Sequence, residues 1–349
     1  MDVPEVGRLL ASLARTADPL KPTDTDRPQN RRKGQFRGAP NKARADGTAI
    51  LVSMHVAPRL HVSVLSDEVL HWLAPEPGQT FVDGTLGAGG HARALAERVG
   101  SSGLVLALDR DAAALTAAEQ NLAGLPIAIA QANFCDLADV LAEVGLATVD
   151  GILLDLGLSS DQLADANRGF SFDSPGPLDL RFDIETGEPA WRLLERLDAE
   201  TLADILFRFG QERFSRRIAR RIVEQRKIAP LETAQQLAQL VRRAIPATAD
   251  TRRIDAATRT FQALRIAVNG ELESLELALR RLPNLLTAGG RLAIISFHSL
   301  EDRLVKEAFR SDPRLSPLTK KPIRPGDEEI AHNPRSRSAK MRVARRESS

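Results

Sequence analysis

The stretch Phe81-Val82-Asp83-Gly84-Thr85-Leu86-Gly87-Ala88-Gly89-Gly90-His91 decides how this chain is read. A short β-prone run over Thr80–Val82 ends in an aspartate, four glycines follow within seven residues, and a helical pattern takes over across Ala92–Val99. Glycines let backbone approach a ligand closely, and a helix start offers free amides to a nucleotide. The next apolar run, Leu104–Leu108, ends at Asp109. A doubly wound sheet places an acid there to accept hydrogen bonds from ribose hydroxyls. Gly87-Ala88-Gly89-Gly90-His91-Ala92 also satisfies the dinucleotide pattern G-x-G-x-x-A, so NAD or FAD competes as cofactor. Two features favour S-adenosylmethionine. Asp83-Gly84-Thr85-Leu86 separates the strand from the first fingerprint glycine. Asp83 is also placed to engage a cationic amino group, which that nucleoside carries and NAD lacks. A tight glycine turn with no ligand is the third reading.

Outward from this loop, strand and helix patterns alternate. A helix is expected over Ala112–Leu122, strands over Ile127–Ala130 and Gly151–Leu154, then a strand over Arg291–Phe297 and a helix from Leu300. Continuous apolar runs separated by helices indicate a parallel sheet covered on both faces. Between Gln162 and about Arg265 the strand signal vanishes, and prolines at 175, 177, 189, 230 and 246 punctuate a helical stretch. The expected organisation is a disordered basic extension (1–58), a first sheet segment (59–162), a helical insertion that recognises substrate (163–265), and a second sheet segment with a basic tail (266–349). Thr16 to Ser53 is rich in Pro, Asp, Asn, Gly and Arg without apolar period, and Met54 is a candidate true start.

Residues just past the carboxyl ends of central strands meet the ligand in such sheets. Asp155, after the fourth strand, is a candidate to accept a hydrogen bond from a substrate amine. Ser159 and Gln162 fit both a capping box and the site. Phe134, after the third strand, can stack on an adenine or pack in the core. His298 is a candidate proton acceptor or a structural group, with Ser299 and Asp302 read as a helix cap. Thr258, Gln262, Arg265 and Asn269 share one helix face, beside an apolar face of Phe261, Leu264, Val268 and Leu275. Across Gln211–Lys227, Phe214, Ile218 and Ile222 point inward while Arg213, Arg216, Arg217, Arg220 and Arg221 point outward, for phosphate or for solubility. Aromatic and basic residues interleave at Arg168-Gly169-Phe170-Ser171-Phe172 and Arg181-Phe182, a pattern that suits splayed bases and phosphates. Many amine methyltransferases carry Asp/Asn-Pro-Pro-aromatic after the fourth strand. This chain has Asp155-Leu156-Gly157 instead, so a stacking ring must come from elsewhere, with Phe170 and Phe172 as candidates.

Composition narrows the class. The net charge is +2, with 43% apolar and 27% charged residues, as in ordinary soluble domains. Basic residues nonetheless cluster at Arg27–Arg44 and again at Arg335, Arg337, Lys340, Arg342, Arg345 and Arg346. The single cysteine, Cys135, excludes an intrachain disulfide, and the six histidines lack metal-ligand spacing, so no metal is expected. No apolar run is long enough to span a bilayer, and no secretory signal opens the chain, so a cytoplasmic protein without a membrane partner is expected.

Taken together, these blocks resemble the ribosomal RNA small subunit methyltransferase H family, also called MraW, from about His61 through Arg345. The resemblance rests on Asp83 to His91, Asp155-Leu156-Gly157-Leu158-Ser159-Ser160, Arg168 to Phe172 and Gly176-Pro177-Leu178-Asp179-Leu180-Arg181. It continues through Thr258 to Arg265, Ile295 to Arg303 and Asn333-Pro334-Arg335-Ser336-Arg337-Ser338. It implies a Rossmann-like class I S-adenosylmethionine-dependent methyltransferase sheet with a helical insertion domain. It also implies N4-methylation of a decoding-centre cytidine, number 1402, in 16S rRNA of the small ribosomal subunit. By resemblance the methyl donor lies against Gly89, Gly90, His91, Asp109, Phe134, Asp155 and Gln162, to which the residues themselves add Asp83 and Gly87. Asp155 and His298 are the catalytic candidates. Phe170, Phe172, Arg181, Arg259, Arg265, Asn269, Arg335 and Arg337 are the candidates for RNA. The long segment before Met54 departs from the family pattern. The rivals are an NAD-dependent oxidoreductase, a non-catalytic ribosome-assembly factor on the same fold, and a DNA cytosine methyltransferase.

Overall fold

A computed structural model describes residues 63–246 and 255–348. The extension 1–58, with Met54 and the cluster Arg27–Arg44, lies outside the described residues. After helix α1 (Ser66–Leu73), the chain runs β1 (Thr80–Asp83), α2 (Gly90–Val99), β2 (Leu104–Asp109), α3 (Ala112–Asn121), β3 (Ile127–Gln131), α4 (Leu137–Glu143), β4 (Val149–Asp155) and α5 (Ser160–Ala164). Helices α6 (Ala190–Arg196), α7 (Ala199–Gly210), α8 (Ser215–Arg226), α9 (Ala234–Ala244) and α10 (Thr258–Asn269) follow. The chain closes with α11 (Glu271–Leu285), β5 (Leu286–Ser296), α12 (Ser299–Ser311), β6 (Leu315–Pro317), α13 (Asp327–His332) and β7 (Lys340–Arg346).

The seven strands form one sheet in the order β3-β2-β1-β4-β5-β7-β6. β1 to β5 pair in parallel, and β7 enters antiparallel between β5 and β6. Successive strand side chains point to opposite faces, and the two cores follow that alternation. Val82, Leu104, Leu106, Leu108, Ile152, Leu154, Leu292 and Ile294 pack under α4, α11 and α12. Phe81, Val105, Ala107, Leu153, Ala293 and Ile295 pack under α1, α2 and α3 on the reverse. The order reverses between β1 and β4, and ligands bind at such a switch point, beyond the carboxyl strand ends.

A third core belongs to the stretch between β4 and β5. Buried residues from Phe170 to Leu264, among them Leu178, Leu206, Ile218, Ile222, Leu237 and Val241, cluster together. The inward side of α8 is as expected: Ile218 and Ile222 are buried, Phe214 is half-buried, and all five arginines are exposed. Asp198 caps α7 and a Thr233–Gln236 capping box opens α9.

Two expectations need correction. The C-terminal basic cluster is no free tail, because Lys340–Arg346 is a strand in the sheet. Met341 and Val343 are buried against the α1–α3 face, while Arg342 and Lys340 both reach Asp302, at 2.7 and 3.2 Å. The apolar face running from Phe261 to Leu275 is also interrupted: Gly270, at φ 59°, ends α10 and starts α11, so Leu275 belongs to another helix.

Close strand packing sets a first test. Gly151 pairs with Phe81, and a Cβ added at Gly151 would lie 2.2 Å from the Phe81 ring. Gly151→Ala is expected to lower the urea midpoint, costing about 1–3 kcal/mol as core overpacking does. Gly326→Ala, with nothing near its Cβ position, should leave the midpoint unchanged.

Candidate active site

A cavity of about 510 Å³ opens where the strand ends diverge. Its walls come from the glycine loop (Gly84–Ala88, Gly90, His91), the ends of β2 and β4 (Asp109, Asp155), Phe134, and the turn into α5 through Gln162. Phe182 from the insertion, Glu271, Phe297, Glu301 and Arg335 complete it. The sequence candidates of four separate strand ends thus meet in one place.

The loop's shape follows from its residues. Gly87 and Gly89 hold φ of 50° and 84°, a region that disfavours side chains. A Cβ at Gly89 would also lie 2.9 Å from Leu122. Gly87 N–H donates to Asp109 Oδ2 at 2.8 Å, tying the loop to the end of β2. Asp109 Oδ1 accepts the Asp111 N–H at 2.9 Å, so the carboxylate is fixed while keeping lone pairs for a ribose. Burial raises its pKa, against those same amide bonds. Phe134 sits on the 3₁₀ turn Phe134–Asp136 and lines the cavity.

Asp83 is placed differently from its expected role. It is fully buried beneath the loop, with Oδ1 accepting the Thr85 N–H and Oδ2 without a partner. It lies behind the cavity wall, where only its field can reach a ligand. His91 Nε2 stands 3.6 Å from Asp155 Oδ2, and neither ring nitrogen has a hydrogen bond. Burial opposes charge on that ring, but Asp155 and Asp83, with Glu329, hold its pKa above the ordinary histidine value. Asp155 Oδ1 also lacks a partner, while its backbone N–H donates to Thr85 Oγ1 at 2.6 Å. Orphaned polar atoms on three neighbouring residues, two of them carboxylates, mark a wall built for a ligand that brings donors and positive charge. S-adenosylmethionine, with its ammonium, ribose hydroxyls and sulfonium, fits this set. NAD has no cationic amino group for the carboxylates.

Gln162 carries out the expected cap: Ser159 Oγ accepts the Gln162 N–H, and Gln162 Oε1 accepts the Ser159 N–H, both at 3.1 Å. Its Nε2 donates to Asp111 Oδ2, which also receives Arg168 Nη1 at 2.9 Å. Arg168 Nη2 donates to the carbonyls of Arg181 and Phe182. Sequence reasoning read Arg168 only as one of several basic residues near aromatics. Its burial, at 7% exposed, and its service to both cores had no local signal.

His298 takes the structural role weighed for it: it is the N-cap of α12, where its Nδ1 accepts the Glu301 N–H, while its buried Nε2 has no hydrogen-bond partner. Glu301 returns the bond by accepting the N–H groups of Phe297 and His298, so the box is His298–Glu301 rather than Ser299–Asp302. Despite burial, His298 and Arg265 hold the Glu301 carboxyl below its ordinary pKa. Donor atoms of Glu271, His298 and Glu301 lie within 4.8 Å of one another, a composition that can hold a cation. Arg265 already supplies counter-charge there, donating to both oxygens of Glu271 at 2.8 Å.

Several RNA candidates prove to be framework. Phe170 is 4% exposed and stacks on Phe182 with centroids 5.9 Å apart. Phe172 meets Phe261 edge-on, at 4.9 Å. Asn269 is buried, accepting the Phe182 N–H at 2.7 Å and donating to the Leu180 carbonyl. Arg181 is clasped by Asp179 at 2.8 Å, and Arg265 by Glu271. With Gln262 donating to the Phe209 carbonyl, the polar stripe on α10 is an internal seam, neither cleft nor free surface. Arg259, Arg335 and Arg337 are exposed, and Arg335, on the cavity rim, hydrogen-bonds Ser160 Oγ. Rings on the cavity wall are Phe134, Phe182 and Phe297.

The sheet order, the glycine loop and the acids at the strand ends define a class I S-adenosylmethionine-dependent methyltransferase. A family model described as the MraW methylase family matches residues 59–347, and the chain belongs to that family. It is similar to the ribosomal RNA small subunit methyltransferase H of Syntrophotalea carbinolica, 50% identical over 82% of this chain and 98% of that protein. The protein of the same name from Cyanothece sp. is 52% identical over 82% and 95%. Among solved structures, an rRNA methylase from Streptococcus thermophilus aligns at 12% identity over 81% of this chain and 94% of its own. Its TM-score is 0.38, too loose a likeness to add to the argument.

The buried acid beneath the loop gives a pH test. Burial pushes the Asp83 pKa up to about 6 from 3.8, with His91 and Thr85 offsetting part of the rise. Because the folded value is the higher, folding takes up a proton between those values, and ionised Asp83 weakens the ligand-free fold above them. Asp83→Asn should therefore raise the urea midpoint at pH 8, by up to about 3 kcal/mol, and the difference should vanish near pH 4.

Proposed function

We propose that the protein methylates the N4 amine of a decoding-centre cytidine, 1402, in 16S rRNA, within the small ribosomal subunit. The relatives' name supports methyl transfer to small-subunit rRNA. The observation that carries the amine reading is Asp155, whose Oδ1 stands unpartnered at the end of β4, between the glycine loop and the end of β5. A cytosine amine is a poor nucleophile, because its lone pair is delocalised into the ring. When bound, S-adenosylmethionine supplies an electrophilic methyl carbon on sulfur. Asp155 would accept a hydrogen bond from the amine and turn its lone pair toward that carbon; as the nitrogen–carbon bond forms the carbon–sulfur bond breaks, S-adenosylhomocysteine leaves, and the surplus amine proton passes to solvent water. Holding the two partners in line accounts for roughly 7–11 kcal/mol of such a barrier.

The stretch 163–265, standing over the carboxyl ends of the strands, is the substrate-recognition part of this reading. Gln211, at the turn between α7 and α8, accepts a hydrogen bond from Ser299 at 2.8 Å, which sets that turn beside the start of α12. From there Arg213 leads into α8, and Arg216, Arg217, Arg220 and Arg221 run along one face of it, a span of about 8 Å. Glu224, 3.0 Å from Arg221, is their one acidic partner among the described residues. Such a stripe suits the phosphates of a strand leading to the cavity. Arg259, Arg335 and Arg337 extend the basic surface.

Tritiated methyl donor, offered separately with small subunits, naked 16S rRNA and DNA, tests the reading. Label should appear in the subunits and digest to N4-methylcytidine. Label in DNA, or calorimetric binding of NADH in place of S-adenosylmethionine, would overturn it. At saturating cofactor, Asp155→Ala should lower turnover at least about a hundredfold, as on losing a positioned polar group. Arg216, Arg217 and Arg220 changed together to Glu should raise KM for subunits without altering cofactor binding. They should also flatten the salt dependence of subunit affinity by about 2–3 in log–log slope.

A further inference from the structure

The motif after β4 lacks the aromatic that an amine methyltransferase sets against its substrate. Its place is held by Leu158, which packs on the core of the insertion. Three rings line the cavity, and their positions are not equivalent. Phe134 follows β3, where the ring faces the adenine of the bound nucleoside in the reading above, so it is taken up by the cofactor rather than the base. Phe182 already has Phe170 stacked against it and the Arg265 guanidinium 6.0 Å from its centroid. Phe297 follows β5, the immediate neighbour of β4, with Asp155 and Ile295 in register. Among the described residues no ring or cation stacks on it.

The backbone beside Phe297 is shaped to clear its ring. The Leu156 N–H donates to the Ile295 carbonyl at 3.0 Å, so the two chains continue side by side past the sheet. Gly157 then takes φ 110°, and a Cβ there would stand 3.4 Å from Phe297 Cδ2. Glu301 accepts the Phe297 N–H at 2.9 Å, fixing the backbone from which the ring projects. The geometry points to Phe297 as the ring against which the pyrimidine docks, with Gly157 left bare beside it. This rests on the functional reading above, and it replaces Phe170 and Phe172 as candidates.

Phe297→Leu keeps an apolar side chain and removes the aromatic face. With small subunits as substrate, its KM is expected to rise about tenfold or more, the range of lost base stacking. The cofactor dissociation constant should stay at the wild-type value. Phe297→Tyr should restore KM, and Gly157→Ala should mimic the loss by straining the turn beside the ring, whose φ of 110° disfavours a side chain. In wild-type protein loaded with S-adenosylhomocysteine, the Phe297 ring resonances should move upfield on adding cytidine monophosphate. Wild-type KM in Phe297→Leu, or unmoved ring resonances at saturating nucleotide, would overturn the assignment even while N4-methylcytidine is formed. Absence of N4-methylcytidine from the wild-type reaction would instead overturn the functional reading itself.

Discussion

The site depends on one buried ionic contact, Arg168 to Asp111. Asp111 caps α3 on the sheet side, and Arg168 is anchored at the root of the helical insertion. Both are less than a tenth exposed. The pair does more than join two points. Asp111 also accepts Gln162 from the helix that closes the cavity, and Arg168 donates to the carbonyls of Arg181 and Phe182. Breaking such a pair strands a charge in low dielectric, which is far costlier than the net worth of the pair. The orientation of the insertion over the strand ends is therefore stiff, and so is the placement of every side chain that the insertion lends to the cavity.

Within that frame, charge is distributed unevenly. Asp83, Asp109 and Asp155 surround the glycine loop, and Asp155 and Asp83 beside His91 hold its pKa above the ordinary histidine value. Carboxylates gathered in a low-dielectric pocket repel one another, a cost that a cationic ligand relieves. The opposite end behaves differently: Arg265 neutralises Glu271, and Glu301 is tied into the cap of α12 by the amides of Phe297 and His298. One end is electrostatically unfinished and awaits a charged nucleoside. The other is fixed by its ion pair and cap, suited to presenting a flat neutral base.

Much of this was legible in the residues. The glycine loop, the acids closing β1, β2 and β4, and the two-sided strands are local patterns, and local patterns survive in a sequence. The Ser159–Gln162 box was legible for the same reason. What escaped was decided by distant partners. Arg168 and Asn269 resemble surface polar residues until Asp111, Leu180 and Phe182 are seen around them. His298 displaced Ser299 as cap because its ring nitrogen reaches the third amide of α12. The last strand hid behind its charge. Lys340-Met341-Arg342-Val343 alternates as a strand should, but three arginines and a lysine within Lys340–Arg346 suggested a solvated tail. Asp302, far off in sequence, is what lets Arg342 be buried.

That last strand also decides how the sheet meets its surroundings. β7 is not an edge: it lies between β5 and β6 and pairs with both. Without it, β5 would present a row of unpaired backbone groups along the strand that leads into Phe297, and an open edge of that kind invites pairing with another chain. A segment that reads as surface charge is thus a closing member of the sheet, and its loss would leave the molecule adhesive as well as incomplete.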